Sequence, residues 1–167
     1  MTPELDQHIR EKYPLIFSQP CDISINDGWF DIIDLLCNNI QHRIDNAVKQ
    51  RQYAIEWNNQ VNDPDNDWSD KASFIKREER AVPELVEQVV AKQIKEKFGT
   101  LRFYYDGGDE FIRGLESMAA SMTSRTCEEC GSPGTSRSTK KQRWLLVLCD
   151  KHAEEQGYIE DEDSISE

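Results

Sequence analysis

The chain has 167 residues, 32 of them acidic and 20 basic, for a net charge of −12, and 37% of its residues are apolar. That length suits about one domain with a core of its own. The longest clean apolar run, residues 144–148, is far short of the ~20 residues a membrane helix needs, and five cysteines are too few, and odd in number, for a disulfide scaffold. The opening Met1-Thr2-Pro3-Glu4 lacks the basic-then-apolar pattern of a secretory leader, so a cytoplasmic protein without a membrane partner is expected.

Residues 3–12 read as a short helix, with Pro3 at its start and Pro14 just past its end. An irregular stretch around Pro14, Pro20 and Cys21 follows. Asp27 reads as the N-cap of the next helix, with Asp31 adding acid to its first turn. Behind it Trp29, Ile32, Ile33, Leu36, Ile40, Ile44 and Val48 recur at steps of three and four. That is one face of an amphipathic helix running to about residue 60. Such a helix is ~50 Å long, enough to break or to project from the body. Cys37, beside Leu36, and Cys21 read as small buried apolar residues. His8 and His42 have no partner at metal or triad spacing.

Residues 62–70 form a loop. Asp63, Asp65 and Asp67 imitate a calcium loop, but Trp68 stands where glycine is needed and Phe74 where a bidentate glutamate is needed. Residues 71–80 read as a charged helix. A strand is expected from about 88 to 96, turning at Phe98-Gly99-Thr100 into a second strand, Leu101-Arg102-Phe103-Tyr104-Tyr105. Asp109 then caps a helix through about Met122, with Phe111, Ile112, Leu115, Met118 and Ala119 on its apolar face.

The strongest chemical signal is Cys127-Glu128-Glu129-Cys130, eighteen residues, then Cys149-Asp150-Lys151-His152. Two pairs with two-residue gaps place four N/S ligands around one ion, and a Cys₃His set closes the tetrahedral shell of zinc. Gly131 lets the backbone turn under the first pair, residues 144–148 read as a strand, and Cys149 and His152 start a short helix, 150–156. Knuckle, hairpin and helix together resemble a treble-clef zinc finger holding one structural Zn²⁺. A redox Cys-x-x-Cys would need a thiol activated by positive neighbours; Glu128 and Glu129 are expected to raise the thiol pKa values instead. A treble-clef nuclease needs a histidine beyond the metal ligands, and His152 is the module's only one.

Arg137, Lys140, Lys141, Arg143 and Trp144 interleave cations with an aromatic on the module's hairpin, which makes them the nucleic-acid candidate. The competing reading is a solvated hairpin on a protein whose acidity repels DNA. Residues 153–167 carry seven acids and no base, the composition of a disordered tail. No phosphate loop, nucleophile elbow or His-Glu-x-x-His motif occurs.

Three stretches carry a family likeness: Tyr13-Pro14 with Asp27-Gly28-Trp29-Phe30-Asp31; the strand pair around Lys97–Tyr105; and Thr126–Gly131 with Leu148–Ala153. In these the chain resembles a group of small phage- and prophage-encoded zinc-binding proteins without an assigned activity. The resemblance implies zinc-ligand roles for Cys127, Cys130, Cys149 and His152. Small acidic phage proteins commonly bind and block host machinery, so a non-enzymatic accessory protein is expected whose partner is a host or phage protein, inhibiting a host defence complex, and the net charge of −12 adds mimicry of nucleic acid as a route. Nucleic-acid binding by the hairpin 137–144 is the alternative. The expected fold is α+β: a long helix and a second helix on a small antiparallel hairpin, with a C-terminal treble-clef-like zinc module. The expected division is a body over 1–125, a zinc module over 126–157 and an acidic tail over 158–167.

Overall fold

Residues 1–66, 78–139 and 145–160 are described by a computed structural model of the chain. The body opens with α1 (Pro3–Lys12), a three-residue strand β1 (Asp22–Ser24) and a 3₁₀ turn at Asp27–Trp29. Then come α2 (Phe30–Asn62), β2 (Val90–Lys97), β3 (Thr100–Asp106) and α3 (Glu110–Thr123). The C-terminal module holds β4 (Thr135–Ser138), β5 (Leu146–Leu148), α4 (Asp150–Gln156) and β6 (Ile159–Glu160). The chain is α+β, with two small sheets of order β1-β2-β3 and β5-β4-β6.

The long helix is the spine and runs unbroken for 33 residues. Its N-terminal half buries Ile32, Ile33, Leu36, Cys37, Ile40 and Ile44 against Ile9 of α1, Ile94, Leu101 and Phe103 of the sheet, and Ile112 and Ala119 of α3. Each such side chain contributes roughly 1.5–3 kcal/mol of burial, so this cluster holds the body together. The apolar stripe then drifts: Ala47, Ala54 and Trp57 are buried, while Val48, expected on the core face, is 51% exposed. The C-terminal half is covered by the strap 78–89. Trp57 Nε1 donates to the Glu78 carbonyl (2.8 Å), Asn58 bonds the backbone of Arg80 in both directions, and the Arg80 guanidinium lies over the rings of Trp57 and Tyr53.

Three expectations need correction. Asp27 does not cap α2; its carboxylate accepts from the Thr2 N–H (2.6 Å), and Trp29 occupies the N-cap position without a side-chain bond. The stretch after Pro20 is not wholly irregular, since β1 pairs in parallel with β2, Asp22 opposite Gln93 and Ile23 opposite Ile94. On α3 the buried residues are Ile112, Ala119 and Thr123, whereas Phe111 and Met118 are 58% and 53% exposed. The cap of α3 is as read: the Asp109 carboxylate accepts from the Ile112 N–H (3.0 Å) and pairs with Arg43 of α2 (2.8 Å).

The β2–β3 hairpin closes through a two-residue turn, Phe98-Gly99, with Lys97 opposite Thr100. Both turn residues have positive φ, 55° and 71°, as the twist of a tight hairpin demands. Glycine accepts that freely; a phenylalanine there costs about 1–2 kcal/mol. The calcium-loop residues Asp67, Trp68 and Phe74, and residues 71–77 of the expected charged helix, lie outside the described residues; residues 78–80 have no regular structure. Among the described residues no helix is long and apolar enough to cross a membrane.

Candidate metal centre

The module folds around a small core of Cys127, Leu148 and Ala153, with Leu146, Cys149 and Tyr158 against it. Its first ligand pair sits on a knuckle. The Gly131 N–H closes the turn onto the Cys127 carbonyl (2.9 Å), and Gly131 takes φ 74°, which only glycine adopts without strain. The Cys127 N–H donates to the Ser132 carbonyl and the Glu128 N–H to Val147 of β5. The second pair opens α4, which ends on Gly157 at φ 72° with the Tyr158 N–H returning to the Ala153 carbonyl (2.8 Å), a glycine-terminated stop. Within the expected tail 158–167, residues 159–160 pair with β4. Residues 161–167 lie outside the described residues.

Cys127, Cys130, Cys149 and His152 converge, with their ligand atoms all within 4.8 Å of one another. His152 Nδ1 is 3.4 Å from Cys127 Sγ and 3.3 Å from Cys149 Sγ, and Cys130 Sγ is 3.9 Å from Cys149 Sγ. A tetrahedral zinc with Zn–S of ~2.3 Å and Zn–N of ~2.0–2.1 Å requires edges of about 3.8 Å between sulfurs and about 3.5 Å between sulfur and nitrogen. The donor set and its spacing therefore fit a metal such as zinc. The far ring nitrogen of His152 faces the Glu155 carboxylate at 3.8 Å, the side from which a histidine ligand is oriented.

The electrostatics separate the thiols. Burial raises the pKa of Cys127, although backbone N–H groups of Cys149, Cys130 and Glu129 favour its thiolate. Cys130 is exposed, and hydrogen bonding from the Ser132 hydroxyl and N–H lowers it to about 6. The expectation that the two glutamates raise both thiols thus fails at Cys130, because local donors act at shorter range. Glu128 is itself 2% exposed; burial raises its carboxyl to about 7 against the pull of the Val147 N–H. An open cleft of about 650 Å³ beside Cys130 and His152, lined also by Pro133, Arg137 and Lys151, gives solvent and metal a route to the cluster.

The knuckle is held from behind by the body. The Gly28 N–H donates to the Glu128 carbonyl (2.7 Å), Trp29 Nε1 to the Thr126 carbonyl (2.8 Å) and Asn26 Nδ2 to the Glu129 carboxylate (3.2 Å). A Cβ on Gly28 would meet the Cys127 carbonyl oxygen at 2.3 Å. The sequence reading makes Asp27 a helix cap, Trp29 part of the helix's apolar face and 27–31 a family-likeness stretch, and does not place them under the knuckle. The available signal was a glycine directly before a large aromatic, where a close backbone approach is one reason to exclude a side chain.

The nucleic-acid candidates fare differently. Arg137 is 8% exposed and pairs with Asp150 at 2.5 Å, bracing β4 against the first turn of α4. Its guanidinium is engaged within the module, at the wall of the open cleft. Lys140, Lys141, Arg143 and Trp144 lie outside the described residues. Cys21 and Cys37 are buried as read, with burial raising both thiols, and His8 and His42 are exposed. The chain matches no protein-family model, no curated protein and no solved structure.

Proposed function

We propose that this chain is a non-catalytic binding protein whose Cys127, Cys130, Cys149 and His152 hold one structural zinc ion. The observation that carries the reading is the convergence of three cysteine sulfurs and one histidine nitrogen within 4.8 Å. Sulfur and imidazole donors select zinc among the common divalent ions. Four protein ligands fill a tetrahedral shell and leave no position for a substrate or an activated water. The ion then supplies folding free energy to a module whose own core, among the described residues, is the small cluster Cys127, Leu148 and Ala153. Its work is binding to a macromolecule, in line with the accessory role in phage or host biology expected above.

Elemental analysis of the purified full-length protein tests this directly. The expected result is one zinc per chain, with chelation lowering the melting temperature. A ratio near zero with no loss on chelation overturns the zinc assignment. Metal-dependent turnover that survives further purification overturns the non-catalytic part.

A further inference from the structure

The sheet of the body has one face in the core and one in solvent. Ala91, Ile94, Leu101 and Phe103 are its buried set. Strand alternation turns Lys95, Lys97, Arg102 and Tyr104 the other way, and the register sets Lys95 opposite Arg102. Lys95 Nζ stands 5.4 Å from the Tyr104 ring centre, and Lys97 Nζ 5.4 Å from that of Phe98 at the hairpin tip. Both rings are open to solvent, Tyr104 at 46% and Phe98 at 68%. At the far end of the face Lys92 is already committed to Asp106 and Gln19, and Arg102 also feels Glu116 of α3. The tip half of this face therefore gathers Lys95, Lys97 and Arg102, the last also donating to the Leu101 carbonyl (3.1 Å), with two solvent-exposed rings on a chain whose net charge is −12.

Phe98 adds an independent sign. Its φ of 55° is a conformation that a bulky residue rarely takes, and it gains no burial there. Strain maintained at an exposed aromatic is explained by work outside the fold.

We propose that this open sheet face binds single-stranded nucleic acid, with bases stacking on Phe98 and Tyr104 and phosphates meeting Lys95, Lys97 and Arg102. Exposed rings beside cations are what unpaired bases require, since every base offers a face to stack. A duplex hides those faces in its own stack. An acidic polypeptide would use the cations but has no need of the rings. The acidity of the rest of the molecule opposes a polyanion, so binding is weak and acts at short range.

The test is fluorescence anisotropy on the full-length, metal-loaded protein. Its probes are labelled oligo-dT and oligo-U of about 20 nucleotides, longer than a typical platform site, a blunt duplex of equal length, and polyglutamate. The single strands are expected to bind, with affinity falling against salt at a log–log slope of about −2 for three phosphate contacts. Phe98→Asn and Tyr104→Ala should each weaken binding about tenfold, and Lys95→Ala with Lys97→Ala should bring the slope to about −0.7. Asparagine tolerates the turn conformation, so Phe98→Asn should fold, and an unchanged circular dichroism spectrum checks it. No binding of either single strand at about 50 mM salt overturns the proposal. So does binding indifferent to Phe98→Asn, equal affinity for the duplex or for polyglutamate, or loss confined to Lys140→Ala with Lys141→Ala.

Discussion

A methyl group on Gly28 tests how the metal module is held. It would lie 2.3 Å from the Cys127 oxygen, 2.6 Å from the Cys130 nitrogen and 2.6 Å from the Glu128 oxygen. All three are backbone atoms of the loop that carries two ligands, so no change of rotamer clears the clash. Gly28 is not among the glycines with positive φ, so its backbone alone would accept alanine. At an open position that exchange gains about 0.4–1 kcal/mol through the unfolded chain. Here the overpacking costs about 1–3 kcal/mol, and the strained Gly28–Glu128 hydrogen bond forfeits about 1 kcal/mol more. The net expectation for Gly28→Ala is a loss of about 1–3 kcal/mol. Because the knuckle must move, part of that loss falls on the metal. With about half of it there, zinc affinity should drop by roughly two- to tenfold, each 1.4 kcal/mol being tenfold. Urea unfolding of the zinc-loaded protein and competition with a chromophoric chelator measure the two quantities. Gly114→Ala is the control, since nothing lies within 4 Å of its added carbon on α3, and it should stabilise by up to about 1 kcal/mol. A Gly28→Ala protein as stable as its parent, with unchanged zinc affinity, would refute the docking argument.

Other expectations follow from single contacts. Burial acts to raise the Asp109 carboxyl, but the Ile112 N–H and Arg43 outweigh it and hold the pKa below its ordinary value. Its contribution is therefore present above the unfolded pKa, about 3.9, and is lost as pH falls through the lower folded value. Asp109→Ala should cost about 1–2 kcal/mol at pH 7 by losing cap and ion pair together, and Asp109→Asn, which keeps the cap, about 0.5 kcal/mol. Both gaps should narrow in acid unfolding curves; a gap that persists at low pH contradicts the linkage. Phe98→Asn should raise stability by about 0.5–1 kcal/mol in urea melts by relieving the left-handed turn, and a loss of stability would show that the ring supports the fold. Chelation should speed hydrogen exchange of the amides at residues 97–101, because the hairpin tip leans on Val147 of the module; unchanged protection would separate the two.

The sequence made legible what is periodic or locally spaced. The strand pair 90–106 and the helix that Asp109 caps rest on local pattern, and the four convergent ligands are legible because each pair carries its own two-residue gap. Contacts made at a distance were hidden. Strand β1 has three residues and no alternation to display, and its partner lies some seventy positions on. Val48 was misplaced because a 3.6-residue period drifts across a helix this long, carrying the buried seam onto Ala47, Ala54 and Trp57. On α3 the seam is narrow, and the polar Thr123 enters it because its hydroxyl accepts the Leu101 N–H (3.1 Å). A hydropathy pattern ranks Phe111 and Met118 above it and so inverts inside and outside. Arg137 reads as a surface cation in sequence because its partner, Asp150, is thirteen residues away, at the start of α4 beyond β5.

The place of the Cys₃His cluster in the molecule bears on the structural role proposed for its metal. The knuckle rests on Gly28 and Trp29 at the head of the long helix, and β5 rests on the hairpin tip, where a Cβ on Gly99 would meet Val147 at 3.2 Å. Glu128 joins the two contacts: its carbonyl takes the Gly28 N–H and its carboxylate takes the Val147 N–H (3.2 Å). An ion that fixes Cys127 and Cys130 thus fixes the residue between them, and through it the rear of the hairpin whose open face carries Phe98 and Tyr104. A reactive metal would need a substrate at an open coordination position, whereas a bracing metal needs a rigid loop with a neighbour on each side. Cys127 and Cys130 lie on that loop, Cys149 and His152 complete the set from the start of α4, and Gly28 and Val147 are those neighbours.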